Sequence, residues 1–531
     1  MRRPTADRGC SCGAGRLPQR GRLGRHVRRL RLERLEDRRL LSLQPSVVPL
    51  EYAIPDSSPT LEVAADDRSG VNSSEQPPYV PGMGIRLSDD LFLAADRLQK
   101  NAPTAAGSPP TGGRPFGAQD SDTSETMIGD VHVTVVLMES DGGIDPQSEN
   151  WTTAEIGLVK SEINEGLDWW ETVFAAQDST STLDFTVDFT NADTPFDTDY
   201  EPITRSSDDQ FLWIDQFLGS AGYSTGFDGI RQFNDDRRVD NNVDWAYTVF
   251  VVDSSDDANG EFTNGDFAYA YLGGPFLVMT YDNDGWGIGD MGQVFAHETA
   301  HVFYALDEYP DSASYYKRSG YYNTQNLNAV DNHPSPATRV ASIMAEDSLQ
   351  NPAYSNHTSS ATSLEMLGWR DGDGDDIFDV LDVPLTLTGS GSYDDVTRMY
   401  TFTGSSSVET LDNLNPLGNG NAITLNEVDR LQYRLDDGDW IDAASYGTFA
   451  PTIDVRIGPL PVETRTIQIR TIADDSGATS NLYTGDAPDD LNLAVDQPSG
   501  WSDKIVLSSR TDTNTDDVPL LPTDTIYVDW A

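Results

Sequence analysis

Hydrophobic and polar positions follow two different periods along the first half of the chain. Short β-branched runs bounded by Asp, Gly or Asn predict strands, whereas apolar residues spaced three or four positions apart predict helices. The predicted strands are 131–138, 183–189, 245–253 and 275–281, and the predicted helices are 153–174, 208–218 and 291–306. This β-α-β-α-β-β-α order predicts a twisted mixed sheet covered by helices, with the helix at 291–306 as its last element.

The pattern changes after about residue 385. Helical spacing disappears, and short apolar strands alternate with turn residues in segments such as 385–393 and 399–404. The segments 433–440 and 467–480 resemble paired strands of bacterial Ig-like or fibronectin-like modules. We therefore expect residues 386–485 to form an all-β sandwich. Residues 486–531 predict the start of a further β-module that is too short to close, as in a truncated chain.

Two segments precede the predicted sheet. Residues 46–125 are rich in Pro, Ser, Asp and Gly, which is typical of a linker or pro-region, and they include a helical patch at 87–98. Residues 1–45 are basic and lack the apolar core of an ordinary signal peptide. Within them, 32–42 resembles the L-E-x-L-E-D-R-x-L-L-S motif near the start of many exported proteins of planctomycete bacteria. This resemblance implies a targeting segment and an extracellular or cell-surface protein.

The charge balance restricts the partners. The formal net charge is −52, and residues beyond position 40 comprise 22 basic and 83 acidic ones. Such a surface repels nucleic acids and anionic membranes, so we expect neither as a partner of the folded part. No run of about 18 apolar residues predicts a membrane span. The only cysteines are Cys10 and Cys12, so we expect no disulfide in the folded part.

The most specific chemical motif lies in the helix predicted at 291–306. His297 and His301 are four residues apart, so they share one helix face and can bind a single metal ion. Glu298 follows the first histidine, where a carboxylate can deprotonate a water that a metal activates. This H-E-x-x-H arrangement predicts a zinc site with Glu298 as the catalytic base. The alternative is an ordinary amphipathic helix whose histidines are core residues.

The extended motif resembles that of the metzincin metallopeptidases, H-E-x-x-H-x-x-G-x-x-H/D. Asp307 lies six residues after His301, where the resemblance places the third zinc ligand. The L-D-E-Y run at 306–309 is most similar to the bacterial IgA-peptidase-like members. Tyr304 replaces the glycine at which the helix of the family breaks, and tyrosine disfavours the left-handed conformation. Three other residues therefore remain candidates for the third ligand: Glu308, His333 and Glu365.

A second segment supports the same resemblance. The A-S-I-M-A sequence at 341–345 is similar to the Met-turn that lies beneath the zinc of metzincins, with Met344 as its methionine. Glu346 occupies the position where the family often has a tyrosine, so Tyr354 becomes the candidate donor to the transition state. The resemblance covers residues 126–370 and implies a zinc peptidase domain of α+β or α/β class.

An acidic stretch, D-G-D-G-D-D-I-F-D-V-L-D, occupies 371–382. Acids on alternate residues are typical of calcium loops, and the pattern resembles dockerin or thrombospondin type-3 loops, with Asp376 at the usual glycine position. We expect calcium to stiffen a linker at 371–385, although a solvated acidic linker is the alternative. The expected ligands are Asp371, Asp373, Asp375, Asp379 and Asp382.

These patterns together predict a secreted zinc-dependent endopeptidase that hydrolyses peptide bonds with a metal-activated water. Its partners would be protein or peptide substrates, and its β-modules would bind cell-surface or matrix components. Two other hypotheses fit the same motif. One is a surface adhesion protein whose metallopeptidase fold is inactive, and the other is a zinc hydrolase of a non-peptide bond, because the motif specifies the activated water and not the substrate.

Overall fold

A computed structural model describes most of the chain beyond residue 112 and one strand before it. The described residues belong to one compact unit. The export segment predicted at 1–45, the helical patch predicted at 87–98 and His333 lie outside them. The described ranges are 83–86, 113–177, 179–309, 315–330, 338–474, 476–487, 497, 499–502, 505–508 and 527–530.

The centre of the structure is a seven-stranded mixed sheet. Its strands are β1 (Met83–Arg86), β2 (Gly129–Ser140), β3 (Leu183–Asp188), β4 (Phe196–Thr198), β5 (Trp245–Val252), β6 (Ala268–Tyr271) and β7 (Phe276–Thr280). Their order is β1-β6-β7-β5-β2-β3, and β4 also pairs with β2. Strand β6 is antiparallel to β7, whereas the other neighbours pair in parallel. Strand β5 is buried along its whole length, which explains its continuous apolar run.

Helices cover both faces of this sheet. They are α1 (Thr153–Ala175), α2 (Thr190–Asp193), α3 (Phe211–Ala221), α4 (Gly226–Asn241), α5 (Met291–Val302), α6 (Asp347–Asn356) and α7 (Ala361–Met366). Because side chains alternate along a strand, Val133 and Val135 of β2 share a core with α1 and α5. Val136 and Met138 share the opposite core with α3 and α4.

Close packing against α1 positions the histidine-bearing helix α5. A Cβ on Gly166 of α1 would lie 2.7 Å from the carbonyl oxygen of Gly292, so only glycine permits this approach of the two helices. Trp170 of α1 also donates its indole N–H to the carbonyl oxygen of Ala296, at 2.9 Å. The contact at Ala296 holds α5 in place at the residue immediately before His297.

The C-terminal part contains separate antiparallel sheets. Strands β10, β11 and β14 form one, and β13, β12, β15 and β16 form the other, in those spatial orders. Residues of both sheets, among them Phe402 and Leu431, share one hydrophobic core. Two-stranded pairs are formed by β8 with β9 and by β17 with β18. The bounds are β8 (Arg318–Ser319), β9 (Thr324–Gln325), β10 (Thr386–Asp394), β11 (Met399–Ser407), β12 (Val428–Leu435), β13 (Ile441–Thr448), β14 (Thr452–Ile457), β15 (Thr466–Ala473), β16 (Tyr483–Asp486), β17 (Ile505–Ser508) and β18 (Tyr527–Trp530).

The predicted class is confirmed at the level of a mixed α/β sheet domain followed by antiparallel β-sheets. The observed elements differ from the predicted ones in several respects. Strands β1, β4 and β6 and helix α2 were not predicted, because each has only three or four residues, and helix α4 was not predicted because it is rich in charged residues. The helix predicted at 291–306 ends at Val302. Helices α6 and α7 follow it, so the histidine helix is not the last one.

The sheet domain and the C-terminal part contact each other through buried carboxylates. Asp122 accepts hydrogen bonds from the side-chain amides of Asn419 and Asn421, both at 2.7 Å. Glu125 accepts one from the amide of Asn413 at 3.2 Å. Both acids are almost fully buried, and the amide donors replace the hydrogen bonds that water would otherwise make to their carboxyl groups. The predicted domain boundaries remain predictions.

Candidate metal centre

Three acceptor atoms converge at the C-terminal half of α5. The Nε2 atoms of His297 and His301 lie 3.1 Å apart. Asp307 Oδ1 lies 3.1 Å from each of them. A tetrahedral zinc with ligand distances of about 2.0–2.1 Å separates its ligand atoms by about 3.3 Å, so this triangle is close to the size that zinc requires.

The other nitrogen of each imidazole determines which atoms face the triangle. His297 Nδ1 lies 2.9 Å from the carbonyl oxygen of Ile343, and His301 Nδ1 lies 2.8 Å from that of Ala305. A carbonyl oxygen only accepts, so both Nδ1 atoms donate, and Nε2 is the nitrogen that each ring directs at the triangle. When both rings are neutral, the two Nε2 atoms and Asp307 Oδ1 are all acceptors, and they repel one another unless a cation lies between them. The donor set therefore fits a metal ion.

The end of α5 explains how Asp307 reaches the histidines. Tyr304 N–H donates to His301 O, and Ala305 N–H donates to Ala300 O, which is the Schellman arrangement of a helix terminus. Tyr304 takes the left-handed position of this motif, with φ of 73°. Tyrosine disfavours this conformation, yet Tyr304 adopts it, and the chain then turns back toward His297 and His301.

Burial of the ring offsets the strain at Tyr304. The residue is 4% exposed and packs with Leu272, Leu306 and Met366. Its ring lies against Gly273, where a Cβ would approach to 2.3 Å. Glycine is thus required at 273 instead of 304, because the aromatic ring occupies the space beside it.

Glu298 is fully buried beside the triangle. Neither of its carboxylate oxygens has a hydrogen-bond partner among the described residues. Burial raises the pKa of Glu298 to about 8; the charge of His297 opposes this shift, while Asp307 and Asp266 add to it. A carboxylate held without donors in a low-dielectric environment readily accepts a proton, which is the property of a general base.

Glu308 and Glu365 lie outside the triangle. The Glu308 carboxylate accepts hydrogen bonds from Ser360 at 2.5 Å and Ser363 at 2.7 Å, and from Asn328 at 2.6 Å. Glu365 contacts the hydroxyl of Thr324 at 3.4 Å. Within the described part of the chain, the acidic and imidazole groups that converge at this position are those of His297, His301 and Asp307.

The predicted Met-turn lies directly beside the triangle formed by His297, His301 and Asp307. Met344 is fully buried in the core that includes α5. Its carbonyl oxygen accepts from the backbone N–H of Glu308 at 2.8 Å, and the preceding residue, Ile343, supplies the carbonyl that orients His297. The segment therefore positions both a ligand ring and the chain that carries Asp307.

Tyr354 does not contact the triangle. It stacks on Trp169, with ring centroids 5.7 Å apart, and its hydroxyl lies 3.3 Å from Glu165, so it belongs to the surface of α1. The aromatic residue near the ligands is Tyr309, whose ring centroid is 6.2 Å from that of His297. Sequence reasoning did not assign Tyr309 a role, although it is the last residue of the L-D-E-Y run.

The structure brings together three of the five predicted calcium ligands. Carboxylate oxygens of Asp371, Asp373 and Asp375 lie within 4.8 Å of one another, and all three residues are exposed. Asp379 instead forms an ion pair with Arg370. Asp376, at the usual glycine position, has φ of 70° and so adopts the conformation that the loop requires.

The fifth predicted ligand, Asp382, is not part of that group. Burial raises its pKa, and the charges of Asp375 and Asp373 raise it further, so it lies within electrostatic range of the acidic loop. The arrangement can hold a cation, but it does not identify which one.

Comparison with known proteins gives no match to a family model or to a curated protein. Each helix in the described part of the chain is too short or too polar to cross a membrane.

Proposed function

We propose that this chain is a secreted zinc-dependent endopeptidase of metzincin type. The observation that supports the proposal is the convergence of His297 Nε2, His301 Nε2 and Asp307 Oδ1, 3.1 Å apart, beside the buried carboxylate of Glu298, which has no hydrogen-bond donor among the described residues. Two imidazoles, one carboxylate and an adjacent base form the donor set of catalytic zinc sites. A merely structural site would not need Glu298 beside it.

The roles of the residues follow from this arrangement. His297, His301 and Asp307 would hold the zinc, which supplies a Lewis acid that activates water and polarises the scissile carbonyl. Glu298 accepts the proton of the attacking water and then donates it to the leaving amine. Ile343 and Ala305 keep the imidazoles in the tautomer that leaves Nε2 free.

The fold supports the metzincin type in particular. The histidine helix packs under a mixed sheet whose strand β6 is antiparallel to its neighbour. The helix breaks three residues after the second histidine, and the third ligand follows that break. A methionine-containing segment then supports the first histidine from below. We also propose that Asp371, Asp373 and Asp375 bind calcium, and that the C-terminal sheets belong to an Ig-like module that contacts cell-surface or matrix components.

The experiment combines metal analysis with proteolysis. Wild type and Glu298→Gln should each bind one zinc per chain, because the substituted residue is not a ligand. Casein or gelatin cleavage by Glu298→Gln should fall about 10²- to 10⁴-fold, the range for loss of a general base. Glu365→Gln is the matched control, since it makes the same substitution at a carboxylate outside the triangle, and it should retain activity.

Other results would favour the competing functions. Equal cleavage by wild type and Glu298→Gln would contradict a catalytic role for this residue. Stoichiometric zinc without cleavage of any protein would favour an adhesion protein or a hydrolase of another bond. Two imidazoles and a carboxylate also suit iron, so a preparation that binds iron and excludes zinc would contradict the proposal.

A further inference from the structure

The outer face of one C-terminal sheet carries clustered arginines in a chain that is otherwise strongly acidic. The chain has 35 basic and 87 acidic residues. Leu431 of β12 points into the core. Arg430 is one residue before it and Arg434 three residues after it, so the alternation of side chains along a strand places both arginines on the opposite face. On the neighbouring strand β15, Arg470 pairs in register with Gln432. Three guanidinium groups therefore share one solvent-facing surface.

Neutral groups hold two of these arginines in place. The guanidinium carbon of Arg470 lies 4.1 Å from the centroid of the Trp440 ring, and that of Arg434 lies 4.8 Å from it. Arg470 donates to Gln432 Oε1 through Nε and Nη2, at 3.2 and 2.9 Å. Arg434 donates through Nε to Gln468 Oε1. An aromatic ring and a carboxamide thus orient each guanidinium plane before any ligand binds.

Among the described residues, Arg434 and Arg470 lack a direct acidic partner, although Asp442 lies close by: it accepts a hydrogen bond from Gln432 Nε2 at 2.8 Å and lies 3.5 Å from Arg430 Nε. Arg430 forms an ion pair with Asp429 at 2.7 Å. Neither Arg434 nor Arg470 forms an ion pair with any described residue. Burial lowers the pKa of Arg470, and the charges of Arg434 and Arg430 lower it further, so these like charges repel. An anion bound between the two guanidinium groups would relieve that repulsion. It would also accept hydrogen bonds from those of their N–H groups that do not donate to glutamine.

We propose that Arg434 and Arg470, together with Trp440, Gln432 and Gln468, form a binding site for an anionic glycan. The planar fork of arginine matches a carboxylate or a sulfate group, and carboxamides suit the hydroxyl groups between such charges. The side chains form rows across neighbouring strands, which gives an extended surface and not a closed pocket.

Charge spacing favours a glycan over nucleic acid. Duplex DNA carries about one negative charge per 1.7 Å, which demands many basic contacts and would be repelled by the acidic remainder of the chain. A glycan whose charges are separated by neutral sugar groups needs only a few basic contacts. At physiological ionic strength the screening length is about 8 Å, so the local arginines can attract such a ligand despite the net charge of −52.

The test uses the full chain with four immobilised probes: polygalacturonate for carboxylates, chondroitin sulfate for sulfate esters, neutral dextran, and duplex DNA. We expect retention on at least one acidic glycan, weakened by salt, and none on dextran. The Arg434→Gln/Arg470→Gln variant should bind about 100-fold more weakly, or about 10-fold for each charge-assisted contact removed. Exposed Arg456, on β14 of the other sheet, provides the control: Arg456→Gln removes the same charge and should bind as wild type.

A second variant separates charge from geometry. Arg434→Lys/Arg470→Lys keeps both charges but lacks the fork, and it should bind about 10-fold more weakly than wild type. Thermal unfolding and casein cleavage should be unchanged in all variants, so this proposal can fail while the peptidase proposal holds. Undiminished binding by the glutamine variant, equal retention on dextran, or tighter binding to DNA than to either acidic glycan would each overturn the inference.

Discussion

Replacement of Tyr304 by glycine should destabilise the metal centre, although glycine is the residue that a left-handed helix terminus usually favours. Tyr304 has φ of 73°, and a non-glycine residue in this region costs about 1–2 kcal/mol in backbone strain. Glycine would recover that energy. It would also remove a ring that is 4% exposed and leave a cavity beside Gly273.

The second effect is the larger one. Truncation of a buried aromatic side chain costs about 3–5 kcal/mol. After the recovered strain is subtracted, Tyr304→Gly should lose about 1–4 kcal/mol of unfolding free energy. Tyr304→Phe keeps the ring and gives up only the 3.4 Å contact of its hydroxyl with Glu125, so its loss should be below about 1 kcal/mol.

Denaturant unfolding of the zinc-free chain measures the stability, and competition with a chelator measures the zinc affinity. Because Asp307 lies three residues beyond Tyr304, a displaced turn should weaken zinc binding as well. Tyr304→Phe is the control for both measurements. If Tyr304→Gly were as stable as wild type and bound zinc equally well, ring burial would not be what maintains the turn.

Three further outcomes are expected. Burial raises the pKa of Glu125 from 4.5 to about 8, and Asp122 adds to the shift, so the folded state holds a proton that the unfolded state loses. Stability should therefore fall as pH rises from about 4.5 to about 8. Glu125→Gln should reduce this dependence in melting temperatures recorded across that range, whereas an unchanged pH dependence would contradict the shift. Glu308→Ala leaves buried donors unpaired and should cost about 3 kcal/mol or more, yet at saturating zinc the chain should still bind one ion; loss of that ion would make Glu308 a ligand. Calcium should raise the melting temperature of wild type more than that of Asp371→Asn. The exposed control Asp439→Asn should respond to calcium as wild type does. Equal shifts in all three proteins would exclude the acidic loop as the calcium site.

Much of the sheet domain could be predicted because its signals are local. The β-branched run in β2 and the apolar spacing in α1 each identify an element without reference to the rest of the chain. Helix α4 gave no such signal. Its first turn contains Gly226 and Gly229, and a Cβ on Gly229 would approach the carbonyl oxygen of Ser224 to 1.8 Å, so this glycine permits a close approach of the preceding loop but lowers helix propensity.

The candidate site likewise contains residues that local sequence predicts and residues whose positions depend on distant contacts. Helical spacing alone places His297 and His301 on one face, with Glu298 adjacent. The position of Asp307 depends on the helix ending at Val302, and that end depends on contacts of Tyr304 with residues distant in sequence. The carbonyl oxygen of Ile343 likewise reaches His297 across 46 positions, so no local pattern could identify it.

The hydrogen bonds between the two parts of the molecule also limit how the gene can be shortened. Glu125 contacts the Tyr304 hydroxyl at the end of the histidine helix, and it accepts a hydrogen bond from Asn413. An expressed fragment that stopped at residue 370 would expose this carboxylate and deprive Asp122 of its amide donors. The smallest fragment that keeps the proposed metal ligands in place must therefore extend past Asn421, well into the region that composition alone assigns to an accessory module.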